Sequence, residues 1–293
     1  MKVVYGHTDS IYCTVDSVEQ AQEVCEKINT EVQKLFPNVF NLDEHPVQLE
    51  FEKYFKSLGV GATKNRNAGL VSWKDGVFLD EEEFTMTGFT AKRISETQLS
   101  KDVQMHVLNM WVQDKSKEEI DDYLNDIYTS LLKGEVEMKM LTRRSRFKEE
   151  RFSVKCVNCR RKSNLNDLMN HICCNTMNIQ TLQGKRPMVG SGIEGILFHN
   201  FHNPDDPILD SFVYLKVTNI NEQYMHPLRQ YHVNPSYVSA TSIKELEKYQ
   251  RNIDWKYYAN AAMKKAEPIY SAMGWDIVSA SRDKRQKTLE DWF

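Results

Sequence analysis

The chain has 293 residues, 41% apolar and 27% charged, with a formal net charge of −3. That length can hold two domains with full cores, and the small negative charge excludes a uniformly basic nucleic-acid wrapper, so any such contact must come from local patches. There is no signal peptide, no apolar run long enough to span a membrane and no disulfide-dense spacing among the six cysteines, so a reducing, cytoplasmic setting and no membrane partner are expected.

Residues 1–15 read as strand, tight turn, strand. Val3, Val4 and Tyr5 give a β-branched and aromatic arm, Gly6-His7-Thr8-Asp9 the turn, and Ile11 to Val15 an alternating return arm, so the Asp9 carboxylate is held at a sheet surface. An ordinary surface hairpin with an Asp suited to its turn has the same local pattern. Val18, Ala21, Val24 and Ile28 fall at helical spacing within a helix over 18–36, and Cys13 and Cys25 read as core. The alternation from Val47 to Tyr54 predicts a half-buried strand with Gln48, Glu50 and Glu52 on its other face. Lys64 and Arg66 follow in a basic element, and Asp75-Gly76 between Trp73 and Val77 is a hairpin turn.

Helices are then expected to dominate. Val103, Val107 and Met110 or Trp111 mark one; Ser116 and Glu119 form a capping box ahead of Ile120, Leu124, Ile127 and Leu131, with Gly134 as the stop. Thr142 to Lys148 concentrates Arg143, Arg144, Arg146 and Lys148, a cationic run that suits either a solvated face or phosphate contacts. Cys156 and Cys159 make half of a zinc knuckle that His171 with Cys173, or one of Cys173 and Cys174 with another residue, would complete; free buried thiols are the alternative. Residues 175–250 hold β-rich pieces such as Ile196 to Phe198 and Phe212 to Val217. Residues 277–293 read as a flexible charged tail ending in Gln286, Leu289, Trp292 and Phe293. A single 3₁₀ turn there aligns Leu289 with Trp292, which suits docking on a partner, or packing of a helix end on its own domain.

Tyr5-Gly-His-Thr-Asp-Ser10 resembles motif C of the family B DNA polymerases, usually Tyr-Gly-Asp-Thr-Asp-Ser. By position, the resemblance makes Asp9 the catalytic ligand of magnesium and puts His7 in place of the first acid. A neutral imidazole suits zinc better than magnesium, and in the family the second acid is the more critical one, so the resemblance implies that Asp9 keeps the core of the motif. Thr63 to Leu70 is similar to the family's Lys-Lys-Lys/Arg-Tyr-Ala-Gly-Leu, which implies primer-template phosphate contacts from Lys64 and Arg66. Asn65 and Asn67 replace a basic residue and the Tyr. Gly88, Arg93, Lys101 and Gln104 match the passage from palm to thumb, with Thr90 where Glu is usual. The run of Arg143, Arg144, Arg146 and Lys148 corresponds to a duplex-gripping thumb element. Ile253 to Tyr258 and Pro268 to Gly274 resemble the closing helices of the thumb. The C-terminal Gln-x-x-Leu-x-x-aromatic-aromatic pattern is similar to the peptide that docks on the sliding clamp, the PIP box. Similarity to the polymerases covers about 1–150 and 250–276.

The implied fold is α+β: a partial palm of antiparallel β hairpins with a helix over 1–95, then a mainly helical thumb with a β-containing insertion over 96–276, and the flexible tail over 277–293. The implied function is that of a DNA-directed DNA polymerase, incomplete alone. The chain begins just before the motif C strand, so the expectation is the small, C-terminal subunit of a split archaeal family B polymerase, or a fragment of a longer one. A larger polymerase subunit would bring the other palm acid, fingers and exonuclease. Primer-template DNA, dNTP, the sliding clamp and a shared pair of Mg2+ ions complete the expected partners, with structural Zn2+ at the Cys/His cluster. The alternative is a non-catalytic DNA-binding module that tethers a partner to the clamp.

Overall fold

The computed structural model describes residues 1–7, 10–63, 65–147, 154–156, 162–163, 179–181, 190–226 and 231–276. The chain is mixed α and β, built from small antiparallel sheets and helices. It divides into two units: the described parts of Met1–Phe89, Met105–Asp122 and Ala266–Ser279, and the described parts of Thr90–Gln104 and Tyr123–Lys265.

In the first unit the β-branched N-terminal arm forms β1 (Lys2–His7), antiparallel to β2 (Ser10–Thr14), with the ladder running to His7 opposite Ser10. Helix α1 (Val18–Leu35) starts at Ser17, whose side chain accepts from the Gln20 amide at 3.2 Å. Strands β3 (Lys53–Val60), β4 (Asn67–Lys74) and β5 (Val77–Thr87) form a meander with β4 in the centre. Ala68, Leu70, Val71 and Trp73 are buried along β4, as a strand covered on both sides requires. Asp75 (φ 51°) and Gly76 (φ 91°) form the expected turn between β4 and β5, both with positive φ.

The strand expected from Val47 begins at Lys53 instead. Asn29, on α1, donates from its side-chain amide to the Leu49 carbonyl at 2.9 Å and accepts from the Leu49 amide at 2.7 Å. A helix side chain thus supplies what a neighbouring strand would, and the apolar alternation is spent on single contacts such as the Phe51–Trp73 stack at 4.4 Å. Cys13 and Cys25 are half-buried rather than core; the Cys25 thiol donates to the Leu49 carbonyl at 3.4 Å, and burial pushes its pKa up.

Helix α2 (Gln98–Val112) places the Trp111 ring against Gly59, where an added Cβ would lie 2.4 Å from it. Helix α3 (Lys117–Leu132) opens with the predicted capping box: the Ser116 amide donates to Glu119 at 2.9 Å and the Glu119 amide to the Ser116 hydroxyl at 3.2 Å. Asp121 pairs with Lys117 at 2.6 Å and accepts from the buried Tyr270 hydroxyl.

In the second unit, Gly134 (φ 72°) ends α3 with its amide on the Leu131 carbonyl. Helix α4 (Met138–Leu141) leads into β6 (Arg143–Arg146). The short strands β7 (Val154–Cys156), β8 (Lys162–Ser163) and β9 (Ile179–Thr181) pair with one another. Ile196 to Phe198, read as β-rich, lies in α5 (Ser191–His202). A short apolar run cannot distinguish a buried strand from a helix buried on several sides. Here Gly192 and Gly195 let the helix backbone press onto the sheet: a Cβ at Gly195 would meet the Ser239 hydroxyl at 2.2 Å.

That sheet has β10 (Ser211–Lys216) between β6 and β13 (Tyr237–Ala240); β11 (Tyr224–Met225) and β12 (His232–Val233) form a separate pair. Helix α6 (Ile243–Leu246) precedes a 3₁₀ stretch over Glu247–Asn252. Asp254 caps α7 (Trp255–Met263), accepting from the Tyr257 amide at 3.0 Å. Helix α8 (Glu267–Met273), which belongs to the first unit, ends at Gly274 (φ 68°). Among the described residues no helix is long and apolar enough to cross a membrane.

A candidate catalytic hairpin and nucleic-acid interface

Asp9 itself lies outside the described residues, but the ladder that brackets it is clear, with His7 opposite Ser10. The hairpin is fastened from both of its arms. On β1, the Tyr5 hydroxyl accepts from the Asn65 amide at 3.0 Å and donates to the Asn65 side-chain oxygen at 3.2 Å. On β2, Tyr12 packs on Tyr5 at 5.4 Å and on Phe55 at 6.1 Å, and its hydroxyl is hydrogen-bonded by the buried Asn67 side chain. Burial raises the Tyr12 pKa; the Asn67 bond opposes this, and the nearby Tyr5 and Glu52 add to it. Of the three polar residues expected together on one strand face, Glu52 acts on Tyr12.

These contacts join two predicted elements. Asn65 sits between Lys64 and Arg66, so the motif C hairpin and the basic loop form one assembly; Lys64 lies outside the described residues, while Arg66 is half-buried. The loop is held by the Gly61 amide on the Arg66 carbonyl at 2.8 Å, and Asn65 adopts φ 64°, a conformation Asn tolerates. Gly88 (φ 77°) presses so close that a Cβ there would fall 1.8 Å from the Asn65 carbonyl oxygen. The tie was missed from sequence, although its signal was present: Asn65 and Asn67, the two positions that depart from the family pattern, are the ones that bond the hairpin tyrosines.

In the second unit, Arg93 is exposed just after the 3₁₀ turn Thr90–Lys92. Gln104, a match to the palm-to-thumb pattern, is buried; it accepts from the Thr90 hydroxyl at 3.0 Å and the Ala91 amide at 2.7 Å. Thr90 also accepts from Lys265, which pairs with Glu96 at 2.9 Å. The cationic run splits by strand geometry. Arg144 and Arg146 are exposed on one face of β6, while Arg143 is half-buried on the other, hydrogen-bonded to Tyr214 and Tyr257. Burial works against the Arg143 charge, but the two tyrosines and Glu96 more than offset it and its pKa is raised. Lys148 lies outside the described residues.

Among the described residues no group of three or more His, Cys, Asp or Glu is placed to hold a metal ion. Cys159, His171 and Cys173 lie outside the described residues, and of Cys156 only the backbone, in β7, is described. Gln286, Leu289, Trp292 and Phe293 also lie outside them.

A family model for DNA polymerase family B matches residues 1–187. A DNA polymerase of Archaeoglobus fulgidus is 27% identical over 138 residues, 47% of this chain and 15% of the relative's length.

Proposed function

The chain belongs to DNA polymerase family B, and from that membership we propose that it supplies one magnesium-binding acid, Asp9, and a duplex-gripping thumb to a polymerase whose larger chain brings the rest. The observation that carries this reading is the double tie of the hairpin to the basic loop, Tyr5 to Asn65 and Tyr12 to Asn67. It joins the hairpin that resembles motif C to the element that carries Arg66, a cation suited to the primer-template backbone. Residues 1–95 act as the C-terminal part of the palm, 96–276 as the thumb, and 277–293 as the tail that carries the clamp peptide.

The donor set fits a shared site. Asp9 offers the hard oxygen magnesium needs and His7 does not, so this reading assigns the second palm acid to the larger chain. Bound magnesium would acidify the primer 3′-hydroxyl and neutralise charge on the transferring phosphate of the dNTP. This chain contributes one acid and the cations that orient the duplex, with Lys64, Arg66, Arg93, Arg143, Arg144, Arg146 and Lys148 as its phosphate partners. Gln286, Leu289, Trp292 and Phe293 hold it on a sliding clamp, and Cys156, Cys159, His171 and Cys173 take one structural zinc.

The split-subunit arrangement is tested by primer extension with this chain, the larger chain and the mixture. Synthesis by the mixture alone is expected; synthesis by this chain alone would overturn it. A second reading, a non-catalytic module that binds duplex and tethers a partner to the clamp, is favoured by His7 in place of an acid. It predicts that mutating Asp9 changes nothing.

A further inference from the structure

Within the second unit, three strands converge on one tyrosine of α7. Arg143 of β6 is hydrogen-bonded to Tyr257 of α7 and to Tyr214, its cross-strand neighbour on β10. Lys216, two residues further along β10 and so on the same face, has its ammonium 4.6 Å from the centre of the Tyr237 ring and 5.9 Å from that of Tyr257. Tyr237 is the cross-strand partner of Lys216 on β13 and lies 6.3 Å from Tyr214.

The framework is rigid. The Lys216 amide donates to the buried Tyr258 hydroxyl at 2.8 Å, and the Asp254 amide donates to the Lys216 carbonyl at 3.2 Å, which locks α7 to β10. Arg143 and Lys216 are both half-buried, and among the described residues neither has a carboxylate within 4.0 Å. Glu96, whose charge reaches Arg143, is already paired with Lys265. Two like charges held around one ring, partly stripped of water and without a paired carboxylate among the described residues, make an arrangement that an anion would complete.

We propose that Arg143 and Lys216, set around Tyr257, clasp a phosphodiester group of duplex DNA. A guanidinium fork, an ammonium and neighbouring hydroxyls offer more donors than the two oxygens of a carboxylate can take up, whereas a backbone phosphate, exposed along the duplex, presents its oxygens to both cations. The clasp rests on the polymerase reading given above and deepens it. It adds Lys216, which no motif indicated, and it separates Arg143 from Arg144 and Arg146, whose side chains leave the opposite face of β6 and cannot reach the same phosphate.

The test is binding of the full chain to a fluorescent primer-template duplex over a salt series, with chains of Arg143→Gln, Lys216→Gln, Lys216→Arg and Tyr257→Phe. Lys216→Gln is expected to weaken binding about tenfold whatever the sequence, and to reduce the slope of log affinity against log salt by about one. Lys216→Arg should restore the slope. Should Arg143→Gln disturb folding, seen as a lowered melting temperature, the Lys216 pair still decides, because its ammonium makes ring contacts rather than ion pairs. A duplex-binding chain whose affinity and slope survive Lys216→Gln overturns the clasp. An unmodified chain that binds no duplex overturns the polymerase reading, and the clasp with it. Equal loss on an acidic peptide and on DNA would show a general anion site and overturn the assignment to duplex DNA.

Discussion

Replacing Tyr5 by Phe removes one oxygen and both hydrogen bonds that Tyr5 makes to the basic loop, the 3.0 Å bond from the Asn65 amide and the 3.2 Å bond to its side chain. The ring stays, and with it the 5.4 Å contact to Tyr12. A neutral hydrogen bond contributes about 1 kcal/mol net. Because Asn65 is exposed, water replaces much of what is lost, so the two bonds together amount to about 1 kcal/mol rather than twice that. That is roughly a fivefold change in the equilibrium between the tied and untied loop. Amide hydrogen exchange reads it directly, since the Asn65 N–H is the donor: in Tyr5→Phe it should exchange about fivefold faster, while the amide of Val71, buried in β4, keeps its rate. An unchanged Asn65 rate would refute the tie between the hairpin and the loop at Asn65.

Gly88→Ala should lower stability by about 2 to 4 kcal/mol, combining a positive φ with a Cβ 1.8 Å from the Asn65 oxygen; an unchanged urea midpoint would contradict that packing. Hydrogen bonds from Ser242 and then Thr241 depress the pKa of Glu245. Its contribution is therefore present above the ordinary glutamate range and lost as the pH falls through the depressed value. Melting temperatures of the parent and Glu245→Gln should converge in acid, and a constant gap would refute this. Purified chain should hold about one zinc and melt lower with chelator, whereas elemental analysis without zinc would return Cys156, Cys159, His171 and Cys173 to plain thiols. Truncating Trp292 and Phe293 should weaken clamp binding by about 2 kcal/mol or more, and changing Glu290 by little. Clamp affinity that survives loss of 286–293 would end that assignment.

Features set by a few adjacent residues were legible in the sequence. Ser116 with Glu119, Asp75-Gly76 and Gly134 each carry their own geometry, and each stands where its pattern placed it. The long-range partnerships were not legible. Nothing near Leu49 tells that Asn29 will occupy its backbone and delay β3 to Lys53, and nothing in Ile196 to Phe198 separates helix from strand before Gly192 and Gly195 are seen against the sheet. The Arg143 and Lys216 pairing joins residues from strands far apart in sequence, so only the register of β6, β10 and β13 brings them to one face. The similarity to the polymerases located the motifs, and the departures within them, Asn65 and Asn67, marked where this chain fastens its hairpin.

The central claim is that Asp9 takes part in nucleotide transfer while His7 does not. Primer extension by the mixture of this chain with the larger polymerase chain should be abolished by Asp9→Asn and largely retained by His7→Ala, with duplex binding unchanged in both. Full synthesis with Asp9→Asn would contradict the account, leaving the chain as a DNA-binding tether.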